Sequence, residues 1–62
     1  MNTEKLRAAY AAATIAHENA ARAAYRAEVQ GSRTVGLARL RERRAWQKAC
    51  DARAAYEASK VA

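Results

Sequence analysis

Two glycines, Gly31 and Gly36, are the only residues of this 62-residue chain that strongly disfavour a helix, and the chain contains no proline. The stretches on either side of them are free of helix breakers. We therefore predict one domain over residues 1–62, with helices at about 3–30 and 37–60 and a turn at about 31–36. Because the turn is short, the two helices must run antiparallel.

Alanine supplies the surface through which these helices pack. It occupies 19 of the 62 positions, and its small side chain allows helix axes to approach at or below the low end of the usual range of about 8–10 Å. At about 100° per residue, one face of each helix forms an alanine-rich seam. The residues of this seam are Leu6, Ala9, Tyr10, Ala13, Ala16, His17, Ala20, Ala24 and Ala27 in the first helix and Ala38, Ala45, Ala49, Ala52 and Tyr56 in the second. The sequence predicts an all-α antiparallel two-helix hairpin.

The tetrapeptide Arg-Ala-Ala-Tyr occurs three times, at residues 7–10, 22–25 and 53–56. The first two copies begin 15 residues apart, which turns Tyr25 about 60° away from Tyr10 around the helix axis. The copies therefore do not form one stripe. We interpret the repeat as scaffold or as a consequence of composition.

The small core of such a hairpin predicts association. A chain of this length buries only about 60% of its unfolded surface, and small folds of this kind usually need a disulfide, a metal or a partner. One cysteine permits no internal disulfide, and no cluster of metal ligands is visible. We expect the hairpin to dimerise into a four-helix bundle or to dock on a partner protein.

The net charge of +6 is unevenly distributed, with +1 on residues 1–31 and +5 on residues 32–62. A basic half favours an anionic partner, either nucleic acid or an acidic protein surface. A solvated arginine-rich face, which GC-rich coding produces without selection for binding, is the alternative. In the antiparallel hairpin we expect Glu28 to lie near Arg39 and to compensate part of this charge.

Trp46 lies among several of these basic residues. Tryptophan and arginine together are typical of protein-interface hot spots, and Ile15 is an outlying apolar residue on the side of the first helix that faces away from the seam. The predicted partner-binding residues are Arg39, Arg43, Trp46, Arg53 and Ile15.

Nucleic-acid binding through the arginine cluster is the alternative function. Its predicted residues are Arg39, Arg41, Arg43, Arg44 and Lys48. These residues spread around the second helix, no DNA- or RNA-binding motif is visible, and Trp46 is the one stacking residue near them. In length and outline only, the hairpin resembles the plasmid copy-number RNA-binding proteins that pair into four-helix dimers. No motif of that family is present, so the resemblance carries no residues over.

Little in the sequence points to catalysis. The chain has one histidine, one cysteine, one aspartate and no glycine-rich phosphate loop. We interpret His17 as a hydrogen-bonded core residue and Cys50 as an inert thiol or, on oxidation, a dimer-linking one. The sequence predicts no enzyme, no cofactor, no metal site and no small-molecule substrate.

These observations predict a small non-catalytic protein-interaction module, a regulator or inhibitor of a larger protein with an acidic surface, with a second copy of the chain as the other candidate partner. In size alone the chain resembles phage-encoded inhibitors such as anti-CRISPR proteins. A single free thiol and the lack of a secretory signal or an apolar span predict a cytoplasmic protein without a membrane partner.

Overall fold

The computed structural model describes residues 2–61, so the two terminal residues of the predicted domain lie outside the described residues. Two helices account for nearly all of it, α1 (Thr3–Val29) and α2 (Val35–Val61). They pack along their length into a rod whose Cα trace measures 47 × 13 × 11 Å. Tyr10 meets Tyr56 at one end and Glu28 meets Arg39 at the other, so the helices are antiparallel. The predicted all-α hairpin is confirmed.

Both ends of α1 are capped by local hydrogen bonds. At the start, the side chain of Asn2 accepts a hydrogen bond of 3.2 Å from the backbone N–H of Lys5, which satisfies one of the free donors of the first turn. At the other end, Gly31 adopts a positive φ of 63°. This left-handed residue lets the Ser32 N–H donate to the Ala27 carbonyl over 2.9 Å, the pattern of a Schellman motif.

α2 begins at Val35, so Gly36 lies in its first turn and not at the end of the connecting segment. The polar residues before it explain the early start. The Ser32 hydroxyl accepts a hydrogen bond of 3.1 Å from the Thr34 N–H, and the Thr34 carbonyl accepts the first helical bond, of 2.9 Å, from Ala38. Because these hydrogen bonds start the helix at Thr34, Gly36 lowers the stability of the first helical turn but does not prevent it from forming.

The seam follows a seven-residue repeat on both helices, with alternating steps of three and four residues. Its positions are Leu6, Tyr10, Ala13, His17, Ala20, Ala24 and Ala27 on α1 and Ala38, Glu42, Ala45, Ala49, Ala52, Tyr56 and Ser59 on α2, all buried or half-buried. Ala13, Ala24 and Ala27 are the buried residues of the described chain, and Ala24 is fully enclosed, with 0% of its surface exposed. The contact between the helices is therefore close and narrow.

The predicted seam was too wide on α1. Ala9 and Ala16 were placed in it, but both are exposed. Packed helices follow a period of about 3.5 residues, and a wheel drawn at 3.6 residues per turn broadens the apparent contact face. The same narrow repeat brings Glu42 into the seam, where the sequence pattern had suggested only apolar residues.

Two of the three repeated tyrosines fill the open end of the hairpin. The rings of Tyr10 and Tyr56 stack with centroids 6.1 Å apart, and the Lys60 ammonium lies 5.0 Å from the Tyr56 ring centroid. Tyr25, from the remaining copy, is 68% exposed. The copies of Arg-Ala-Ala-Tyr are thus not structurally equivalent.

A thin rod of two helices leaves much of its surface open. The accessible surface is 4839 Å², whereas a compact folded protein of this mass has about 4,000 Å². The excess of roughly 800 Å² is about what one partner contributes to a protein–protein interface of standard size. Within residues 2–61, neither helix carries an apolar stretch long enough to cross a bilayer.

The enclosed position of Ala24 gives a test of the close seam. Ala24→Leu should destabilise the hairpin by about 1–3 kcal/mol, because the larger side chain forces the helices apart. Ala8→Leu, on an exposed position of the same helix, should change stability by less than about 0.5 kcal/mol. Urea unfolding followed by circular dichroism measures both, and equal effects at the two positions would contradict the seam.

Candidate interaction surface

The seam separates two grooves that run between the helices on opposite sides of the hairpin. The first, the Trp groove, has a volume of about 210 Å³. It is lined by Tyr10, Thr14 and His17 from α1 and by Trp46, Ala49, Cys50 and Arg53 from α2. Pockets that hold small organic ligands usually measure about 300–1,000 Å³. The Trp groove therefore suits a single side chain of a partner better than a free ligand.

Helical spacing explains why Trp46 and Arg53 share this groove. They are seven residues apart, which is two helical turns, and each follows a seam alanine by one position. Their side chains therefore lie beside the seam and line the groove together with residues of α1. Trp46 remains 54% exposed, so the groove holds the indole without covering it.

Arg39 lies on the same flank, seven residues before Trp46, but its charge is used within the molecule. Its Nε donates to Glu28 Oε1 over 3.1 Å, and its Nη1 donates to Glu42 Oε1 over 2.7 Å. The expected proximity of Glu28 and Arg39 is confirmed. The hydrogen bond from Arg39 lowers the pKa of Glu28 below its ordinary value of 4.5, and the two carboxylates raise the pKa of Arg39.

Arg43 and Arg53, by contrast, are exposed and form no ion pair within the described part of the chain. Arg43 is one turn before Trp46 and Arg53 is two turns after it. The indole is therefore flanked along α2 by two guanidinium groups that are available to an external carboxylate.

Ile15 is placed apart from these residues. It is 58% exposed and lies on the side of α1 opposite the seam, in line with Ala8 and Arg22, each seven residues away. Of the five predicted partner-binding residues, the hairpin brings Arg43, Trp46 and Arg53 onto one flank as free groups, ties Arg39 into the helix contact, and leaves Ile15 on another face.

The residues predicted for nucleic-acid binding are divided between the two sides of α2. Lys48 lines the second groove, the alanine groove, together with Ala9, Ala12, Ala13 and Ala16, with a volume of about 410 Å³. Arg41 and Arg44 precede Lys48 by seven and four residues and so share its side. Arg43 lies toward the other side and Arg39 is held by carboxylates. The five residues do not form a single row.

Five residues that line the Trp groove were not predicted as part of a site: Ala49 and Cys50 of α2 and three residues of α1. The sequence pattern assigned Tyr10 and His17 to the seam, and it gave Thr14 no role. In the structure all three border the groove, and the Thr14 hydroxyl donates over 2.9 Å to the Tyr10 carbonyl. The sequence did contain a signal for Thr14. It follows Tyr10 by four residues and precedes His17 by three, so it lies beside two seam positions, on the flank where Trp46 is found.

No three histidine, cysteine, aspartate or glutamate side chains cluster as metal ligands within residues 2–61. No known protein family, characterised protein or solved structure matches the chain. The function must therefore be argued from the geometry of the two grooves and from the distribution of charge around them.

The contact of Arg39 with Glu28 predicts acid sensitivity. Folding lowers the Glu28 pKa, so its stabilisation is complete above the ordinary value of 4.5 and is lost as pH falls through the lowered value. We expect the melting temperature to fall between about pH 6 and about pH 3 and Glu28→Gln to flatten this dependence. Glu18→Gln, in an ion pair within α1, is the control, and an equal flattening by it would contradict the assignment to Glu28.

Proposed function

We propose that this chain is a small non-catalytic protein-interaction module, a regulator or inhibitor that binds the acidic surface of a larger protein. The observation that carries the proposal is Trp46, a half-exposed indole over a groove between two unpaired guanidinium groups. Exposed tryptophan beside arginine is the composition of interface hot spots. A cytoplasmic location, expected from the single free thiol, is part of the proposal.

The magnitudes support a hot spot at this position. An aromatic side chain buries about 150–250 Å², so covering the open half of Trp46 removes about 100 Å² from water and contributes about 2–3 kcal/mol. The other half already packs in the groove. Less rotamer freedom is therefore lost on binding than for an indole that projects freely into solvent.

Arg43 and Arg53 supply selectivity for an acidic partner. Exposed charges at the rim of an interface mainly accelerate encounter and exclude partners of the wrong sign. A carboxylate placed beside either guanidinium while an apolar side chain enters the Trp groove would satisfy both parts of the surface. The groove volume of about 210 Å³ is consistent with one such side chain.

The geometry favours a protein partner over nucleic acid. A backbone-binding surface uses several cations on one side, whereas only Arg41, Arg44 and Lys48 of the five predicted residues share a side of α2, and Arg39 is already paired. One tryptophan also falls short of a stacking platform. A second copy of the chain, which would form the expected four-helix bundle, is the other partner that the Trp groove could accept.

The proposal predicts a specific loss on removal of the indole. Trp46→Ala should weaken partner capture by 1 kcal/mol or more, about fivefold, as expected for a hot spot. Tyr25→Ala removes another exposed aromatic ring outside the Trp groove and should leave capture unchanged. Immobilised protein is incubated with lysate of the organism that encodes it, and retained proteins and nucleic acids are quantified by mass spectrometry and sequencing.

Helicity of both variants is checked by circular dichroism. A protein retained equally by wild type and Trp46→Ala would refute the choice of surface. Retention of nucleic acid that falls steeply with salt, through counterion release, would establish the alternative function. Sedimentation equilibrium of wild type and Trp46→Ala shows whether the partner is a second copy.

A further inference from the structure

The alanine groove lies on the side of the seam away from Trp46. Its floor is formed by Ala13 of the seam and by the exposed residues Ala9, Ala12 and Ala16. Ala23 follows Ala16 by seven residues and continues the row. At about 1.5 Å per residue, the methyl surface extends about 21 Å along α1, which is the length of four helical turns.

This surface has the physical character of a helix-packing face. Alanine has no side-chain rotamers to lose when a partner covers it, and its size allows a helix backbone to come close. The hairpin already demonstrates such packing at its own seam, where α2 lies against the enclosed Ala24. The exposed alanine row offers similar shape and chemistry on the adjoining flank.

The rim of the groove is basic. Lys48 lines it directly. Helical spacing places four other cations on the same side, since Arg41 and Arg44 precede Lys48 by seven and four residues, and Lys5 and Arg26 lie seven before and fourteen after Ala12. Among the ion pairs of residues 2–61, none involves Lys5, Arg26, Arg41, Arg44 or Lys48.

Most acidic residues of the chain lie away from this side. The five glutamates pair with Arg7, Arg22, Arg39 and Lys60. The one aspartate, Asp51, lies seven residues after Arg44 on the basic side, where it accepts a hydrogen bond of 3.0 Å from Gln47. Five cations and one carboxylate therefore surround the alanine groove, and none of them forms an ion pair within residues 2–61. This side of the hairpin keeps an excess of positive charge that an acidic partner would complement.

We propose that the alanine groove is the docking surface for an acidic helix of another protein, with small residues against the methyl row and carboxylates at the basic rim. Charge decides against a second copy, because two-fold contact through this face would set Lys48 and Arg41 against their own equivalents. Two other features argue against nucleic acid. Phosphates gain no favourable contact from a groove lined with methyl groups, and Trp46, the residue best suited to stack on a base, lies on the other side.

The test uses a labelled synthetic helical peptide of about three heptads, with alanine at the a and d positions and glutamate at e and g. Fluorescence anisotropy at about 50 mM salt, where screening is weak, measures its binding to the full-length protein. We expect binding to wild type, at least tenfold weaker binding to Lys48→Glu, and a similar loss when Ala12→Gln and Ala16→Gln together fill the groove. The same peptide with lysine in place of glutamate should not bind.

Matched controls separate the groove from general electrostatics. Arg43→Glu makes the same charge change outside the alanine groove, and Ala8→Gln with Ala11→Gln adds the same bulk at other exposed alanines. Both controls, and Trp46→Ala, should bind the peptide as wild type does, so the proposed Trp groove can fail without affecting this result. No binding to wild type, or equal losses with Lys48→Glu and Arg43→Glu, would overturn the inference. Tighter binding of a 20-base-pair duplex, or self-association abolished by the groove-filling variant, would also overturn it.

Discussion

The close contact of two alanine-rich helix faces is the constraint on which the rest of the structure depends. Ala24 is completely enclosed because no side chain on either helix holds the backbones apart there. The same closeness limits how much apolar surface the hairpin buries, since each alanine removes little area from water. Larger apolar side chains enter the seam only toward its open end, at Leu6, Tyr10 and Tyr56, whereas Trp46 remains on its flank. The exposure of Trp46 is thus a consequence of the way the core is built.

The distribution of charge follows a related division. All six carboxylates have partners within the hairpin, and Glu28 and Glu42 together hold Arg39 across the helix contact. Four of the twelve basic residues form ion pairs with these carboxylates. The other eight form no ion pair in the described chain. These eight residues are exposed to solvent, whereas Arg39 contributes to the contact between the helices.

Much of the fold could be predicted from the sequence because it rests on local rules. Breaker-free stretches, the left-handed Gly31 and the pairing of Glu28 with Arg39 all follow from spacing and from antiparallel geometry. The exposure of Ala9 and Ala16 could not be read in this way, since it depends on how tightly the helices wind about each other. The candidate surface was only partly predictable. Spacing brought Trp46 and Arg53 together, but the partners that α1 contributes depend on the register between the helices, which Tyr10 and Tyr56 reveal only in three dimensions.

The two grooves that we propose as binding surfaces differ in the kind of recognition that each would provide. The Trp groove offers one large anchor with flanking guanidinium groups, a small area that can contribute several kcal/mol. The alanine groove offers a long, flat contact whose strength comes from shape and from several weak charge interactions. Because the two grooves lie on opposite sides of the seam, two partners could occupy them at the same time without contacting each other. The hairpin would then separate two partners that it recognises differently, one through Trp46 and the other through the alanine row.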